Sequence, residues 1–247
     1  MSGAATGGRI GLLVPSSNTT VEPEFYRALP ESVTLHVMRL FLTRIEPQSI
    51  GAMADELDRA ASLLATADVD VIVLGATAPS FLKGAGYDRE LIARIEAVTG
   101  RRATTTSTAM LRALQAIGAR RVALGSAYTD EVNDVAADFL EANGFAVTTR
   151  RGLGYIDNLA VGRLEAETAY ELGRAVDTAE ADALLLACTN WRTMAVIERL
   201  EDALRKPVLS TSQVSVWDAL RQIGYGAPVP GYGRLLAEMP PTPLRES

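Results

Sequence analysis

The sequence predicts an α/β protein built from two pseudo-symmetric lobes, each a parallel sheet flanked by helices, with a ligand site in the cleft between them. Three observations carry that reading. Short apolar runs rich in Val, Ile and Leu alternate with helical patterns along the 247 residues, as expected for parallel strands covered on both faces. The chain also repeats itself: "RIGLLVPSSN" from Arg9 returns as "RVALGSAYTD" from Arg121, and "ADVDVIVLGAT" from Ala67 returns as "AEADALLLACT" from Ala179, both 112 residues later. Finally, "TSTAMLRALQAIG" from Thr106 returns as "TSQVSVWDALRQIG" from Thr211, 105 residues later, as one shortened loop would produce. Similar segments in the same order mark a duplicated unit.

In chain order, "IGLLV" is the first strand, and "TLHVMRLF" is a second that takes up His36, the only histidine. A helical pattern runs from Ile50 to Ala67, "VIVLG" is the next strand, and a helix over Glu90 to Thr99 stops at Gly100. Gly118 ends the helix after Thr106, Gly144 and Gly224 end two more, and "VALG" and "ALLLA" are strands of the second half. The helix after Thr106 immediately precedes the crossover, so its C-terminal twin should pack back on the first half. The expected lobes are 1–117 plus 215–247, and 118–214.

Composition narrows the function. Hydrophobic residues make up 48% of the chain and charged residues 22%, with a net charge of -6. Basic residues are scattered, so neither nucleic acid nor an anionic membrane is an expected partner. No apolar run approaches the ~18 residues of a membrane span. "MSGAATGGRI" has neither the charged nor the apolar region of an export signal, and a single cysteine fits a reducing cytoplasm. Neither a cysteine/histidine zinc cluster, a Walker loop nor a strand-linked G-x-G-x-x-G motif is present, so no metal or cofactor is expected.

Four strand ends, "VPSSNTT", "GATAPSF", "GSAYTDEVN" and "ACTNWRT", carry small or hydroxyl residues entering helices. Helix capping explains each one alone; four converging on one cleft suggest carboxylate binding. Cys188 ends one of these strands, and its repeat twin is Ala76, with Thr189 matching Thr77. A lone Cys after an apolar strand is ordinarily packing. At a helix N-terminus, however, its thiolate would be stabilised and its thiol usable as acid or nucleophile. Tyr87, Tyr155, Trp191 and Trp217 read by default as core or interface residues. Glu22 and Glu24 read as first-turn helix charges. Two facing lobes also suit a small-carboxylate binding protein in which Cys188 is incidental.

Over nearly its full length the chain resembles the aspartate/glutamate racemase superfamily, and within it the arylmalonate decarboxylases and maleate cis-trans isomerases. "VPSSNTT", "DNLAVGRL" and "ACTNWRT" resemble the isomerases, and imply that Asn18 and Asn158 hold substrate carboxylates. "ATAPSF", "ALGSAYTDEVN", Cys188 and "PGYGRLL" resemble the decarboxylases. They imply that Thr77 and Tyr128 belong to a dioxyanion hole and that Cys188 donates a proton. Ser17, Ala78, Thr189 and Asn190 complete the implied substrate-binding set, with Ala78 standing where that hole has a further hydroxyl. Racemases and isomerases of this superfamily use two cysteines, and the first would sit at position 76. Ala76 therefore places a cofactor-independent malonate decarboxylase ahead of an isomerase or racemase. Relatives in catabolic operons, including ectoine breakdown, imply that a specialised substrate is compatible with the same site, as is a homo-oligomer.

Overall fold

The computed structural model describes residues 7–241. The first sheet is built from β1 (Gly8–Pro15), β2 (Val33–Leu40), β3 (Val71–Leu74) and β4 (Arg102–Thr105). Its helices are α1 (Val21–Ala28), α2 (Pro47–Asp55), α3 (Leu57–Ala65), α4 (Thr77–Phe81), α5 (Tyr87–Thr99) and α6 (Thr106–Ala116). The second half repeats the scheme with β5 (Arg121–Ser126), α7 (Asp130–Ala142), β6 (Ala146–Gly152), α8 (Asn158–Gly162), α9 (Ala166–Val176), β7 (Ala183–Ala187), α10 (Ile197–Leu204) and β8 (Val208–Ser210). Two further helices, α11 (Thr211–Gln222) and α12 (Arg234–Glu238), end the described chain. Strand orders are β2-β1-β3-β4 and β6-β5-β7-β8, all pairs parallel.

The duplication read from the sequence is thus a duplication of topology. β3 and β7 are fully buried, as their continuous apolar runs require. Gly100, Gly118, Gly144 and Gly224 all take positive φ, the left-handed geometry that lets a helix stop without a Cβ clash. Two expectations change. The Ile50–Ala67 pattern is two helices, α2 and α3, broken at Glu56. And "ACTNWRT" does not enter a helix directly: a turn follows β7, then a 3-10 turn at Met194–Val196, before α10.

α6 and α11 are the paired twins and pack on each other. Thr105 caps α6 through the Thr108 N–H, and Ser210 caps α11 through the Gln213 N–H in a full capping box. Between the two helices the Thr106 and Ser215 hydroxyls meet at 3.0 Å. Asp218 accepts from Thr104 Oγ1 at 2.6 Å and from Arg112 Nη1 at 2.8 Å. α11 also contacts α1, β3 and β4 as well as β8, and residue 215, taken above as a lobe boundary, falls inside it. Residues 1–6 and 242–247 of that division lie outside the described residues. Among the described residues no helix is long and apolar enough to cross a membrane.

The Arg112–Asp218 pair is fully buried on the aspartate side, so removing one partner strands the other charge. Asp218→Ala is expected to cost about 3 kcal/mol of stability, read as a lower urea midpoint at unchanged m-value. A midpoint equal to wild type would show that the pair contributes nothing net.

Candidate active site

The carboxyl ends of both sheets meet over one small cavity of about 20 Å³, lined by Ala76, Thr77, Ala78 and Pro79 from one lobe and Tyr128, Asn158, Cys188 and Thr189 from the other. Pro15 and Asn18 close one side, and Leu42, Ile45 and Ile50 form an apolar wall. A larger depression beside β6 and α9, lined by residues including Arg151, Tyr155 and Glu171, is open and holds no predicted catalytic group. Cys188 and its repeat twin Ala76 therefore line one volume, from corresponding strand ends in opposite lobes.

Local sequence explains the placement of Tyr128. Ser126 Oγ, at the end of β5, accepts from the Tyr128 N–H at 3.0 Å and donates to Asn133 Oδ1 at 2.6 Å. Gly152, ending β6, packs so closely that a Cβ there would collide with the Tyr128 carbonyl oxygen. The Tyr128 ring meets Phe81 edge-on, centroids 6.4 Å apart. The residue is only 2% exposed, and its hydroxyl faces Thr77, the Ala78 N–H and Cys188. Burial first, then the proximity of Cys188, pushes its pKa well above the usual phenol range, so Tyr128 stays a hydrogen-bond donor. Thr77 Oγ1 lies nearby, buried and without a partner, because the tyrosine hydroxyl does not reach it in hydrogen-bonding geometry.

Cys188 has φ 140°, a backbone region that residues with a Cβ rarely adopt. Its N–H donates to Thr211 Oγ1 at 3.1 Å, and its carbonyl accepts from the Trp191 N–H at 3.1 Å. The expected helix N-terminus is absent; the N–H groups of Asn190 and Trp191 face the sulfur instead. These donors and the Tyr128 hydroxyl favour the thiolate, yet burial outweighs them and pushes the thiol up to about 11. At neutral pH the sulfur is a protonated acid. That corrects the expectation of a helix-stabilised thiolate.

The predicted asparagines are engaged across the lobes. Asn18 Oδ1 accepts from the N–H groups of Thr20 and Val21 at 2.9 and 3.0 Å, opening α1, and its Nδ2 donates to Thr189 Oγ1 at 3.2 Å. Thr189 Oγ1 in turn donates to the Gly75 carbonyl at 3.2 Å. Asn158 Nδ2 donates to Ser17 Oγ at 2.8 Å, and Ser17 donates to the Leu42 carbonyl. Asn190 accepts from the Thr19 N–H at 2.8 Å and donates to the Asn158 carbonyl at 2.5 Å. Ser17 and Asn190 do not line the cavity; they tie its walls together from behind. Trp191 and Trp217 are fully buried core residues, and His36 lies in β2 beside Thr34. Glu22 pairs with Arg39, but Glu24 is buried at 5% exposure, unlike an ordinary first-turn charge.

Sequence reasoning missed the apolar wall. Leu42, Ile45 and Ile50 lie in the β2–α2 segment and the start of α2, which the bridge between Arg44 and Asp157 carries over the cleft. Nothing in their local pattern distinguishes them from core residues.

Comparison with known proteins agrees with the two-lobe fold. The sequence profile of the family described as arylmalonate decarboxylase matches residues 10–236. The arylmalonate decarboxylase of Bordetella bronchiseptica is 35% identical over 232 residues, covering 93% of this chain and 96% of its own. The maleate isomerase of Geobacillus stearothermophilus is 29% identical over 243 residues, covering 93% and 97%. Among solved structures, a variant of the maleate isomerase from Pseudomonas putida S16 with maleate superimposes at a TM-score of 0.91 with 28% identity, covering 94% of this chain and 98% of that one.

Proposed function

The chain belongs to the arylmalonate decarboxylase family, and on that premise we propose that it is a cofactor-independent decarboxylase of substituted malonates. The observation that carries this reading is the one-sided thiol: Cys188 and Ala76 line the same cavity from opposite lobes, so an acid is available to one face only. One carboxylate of the substrate binds where Thr77 Oγ1, the Tyr128 hydroxyl and the Ala78 N–H point. The other lies against Leu42, Ile45 and Ile50, where a charge is poorly solvated. Loss of this second carboxylate as CO2 leaves an enediolate on the first, and fixed donors there stabilise the charge as it develops. The Cys188 thiol then delivers its proton to the exposed carbon face.

Tyr128→Phe is expected to lower turnover by roughly 10²-fold while the protein stays folded, since one preorganised donor is lost. Unchanged turnover would remove Tyr128 from the chemistry.

Asn18 and Asn158 in the cavity wall favour a second reading, a maleate isomerase-like enzyme. Incubation with substituted malonates, maleate and amino acids in heavy water separates the two. Decarboxylation releases CO2 and gives a product singly labelled at the α-carbon. Efficient maleate isomerisation with no CO2 from any malonate overturns the decarboxylase reading.

A further inference from the structure

The φ of 140° at Cys188 is a conformation that a residue with a Cβ keeps only where its surroundings over-determine it. Two hydrogen bonds meet its backbone. Its carbonyl accepts from the Trp191 N–H at 3.1 Å, a bond made inside the same turn. Its N–H donates to Thr211 Oγ1 at 3.1 Å, a bond to a different element, since Thr211 is the first residue of α11. Thr211 is fully buried and does not line the cavity. Its position is fixed in turn: Ser210 before it caps α11 in the capping box, and its carbonyl accepts from Ser215 Oγ at 2.8 Å.

The repeat supplies an internal comparison. Thr106, the twin of Thr211, is the first residue of α6, and its Oγ1 donates to the carbonyl of Leu74, the last residue of β3, at 3.2 Å. On that side Ala76 has an ordinary extended backbone, φ -142° and ψ 110°. On the other side the same threonine has become an acceptor, and the N–H it accepts belongs to the residue with the unusual φ. With the N–H pinned on one side of Cα and the carbonyl on the other, the direction of the Cys188 Cβ is set, and the thiol with it. Relaxation to a negative φ swings the sulfur away from its present place in the cavity wall.

We propose that Thr211 is a positioning residue: by holding the Cys188 N–H it aims the thiol at one face of the substrate carbon and so sets the handedness of the product. The inference rests on the decarboxylase reading. An aimed thiol gives its proton to the enediolate carbon and becomes a thiolate. An enediolate that the thiol does not reach takes its proton from water, on either face, and leaves hydroxide.

Thr211→Val removes the acceptor at nearly constant volume. It should lower kcat by roughly 10²-fold, the cost of misplacing a reacting group by ~1 Å, with KM unchanged. The product that still forms should have lost most of its enantiomeric excess. Thr211→Ser keeps the hydroxyl and should keep the excess. Thr106→Val makes the matching loss in the other lobe and should keep it too. Thr211→Ala, which puts no methyl against the buried N–H, serves where the valine variant does not fold. Full enantiomeric excess in a Thr211 variant without the hydroxyl overturns the proposal whatever its rate, and so does equal erosion in Thr106→Val. A second readout needs no substrate. Cys188 is the only cysteine, so isotope-labelled cysteine gives one amide resonance. Its shift and its three-bond coupling, which reports φ, should both change in Thr211→Val and stay as in wild type in Thr211→Ser. An unchanged resonance in Thr211→Val also overturns the proposal. A wild-type enzyme that releases no CO2 from malonates sinks the decarboxylase reading alone, and the amide resonance still judges Thr211.

Discussion

Cys188→Ser is expected to stay folded and lose nearly all product formation, by roughly 10³-fold or more. Serine is close to cysteine in size and keeps the same backbone, including the φ of 140°, so the cavity walls should remain in place. What changes is acidity. A buried thiol held near 11 is protonated at neutral pH yet still acidic enough to protonate a carbanion. A serine hydroxyl is a far weaker acid in the same surroundings. The check is CO2 release and product yield, with circular dichroism confirming the fold. A serine variant within a few-fold of wild type would mean that the proton comes from elsewhere. The pH profile adds a second check. Because burial raises the thiol pKa above its ordinary value, near 8.5 in unfolded chains, the acid form persists through neutrality. Activity should be lost only as pH climbs towards about 11. Folding stability should also fall over that upper window, because the unfolded chain ionises its thiol first.

Ala76→Cys is expected to change the outcome of the reaction rather than its rate. Wild-type enzyme, with acid on one face, should convert a prochiral disubstituted malonate into a single enantiomer. A second thiol on the opposite lobe supplies the missing proton exchange and should erode that enantiomeric excess over time. It should also exchange the α-hydrogen of the product with heavy water. Ala76 is buried, lines the cavity, and sits at φ -142° and ψ 110°, an extended conformation that any residue adopts. A cysteine there carries no backbone penalty, in contrast to Cys188. The same variant should gain maleate isomerisation, because Asn18 and Asn158 already stand in the wall. Chiral chromatography and deuterium incorporation measure both effects. An Ala76→Cys protein that still gives one enantiomer, with no exchange at the α-carbon, would show that the two positions do not face a common carbon.

The fold was legible because its signals are local and repeated. The apolar runs of β3 and β7 admit little but buried parallel strands, and the repeat spacing carries Cys188 onto Ala76 without any three-dimensional information. The glycines that stop α5, α6 and α7 are likewise visible, since left-handed geometry selects them. The features missed are those set by neighbours distant in sequence. Glu24 looks like any acidic residue in a first helical turn until α11 and the 193–194 turn close over it. Leu42, Ile45 and Ile50 become a wall only when the segment they occupy bridges to Asp157. The helix expected after Cys188 fails because the unusual φ of that residue turns the chain away, so backbone N–H groups reach the sulfur from a turn instead.

That φ carries a consequence for anyone improving the protein by selection. Glycine adopts such a conformation freely, whereas a residue with a Cβ is held there at about 1–3 kcal/mol. The buried thiol regains only about 1 kcal/mol through its own burial. Cys188→Gly should therefore match or exceed the parent in heat tolerance while losing the thiol proposed as proton donor. A library sorted only by survival at high temperature will enrich for inert molecules at this position. A useful sort has to score product formation and thermal survival in the same cell.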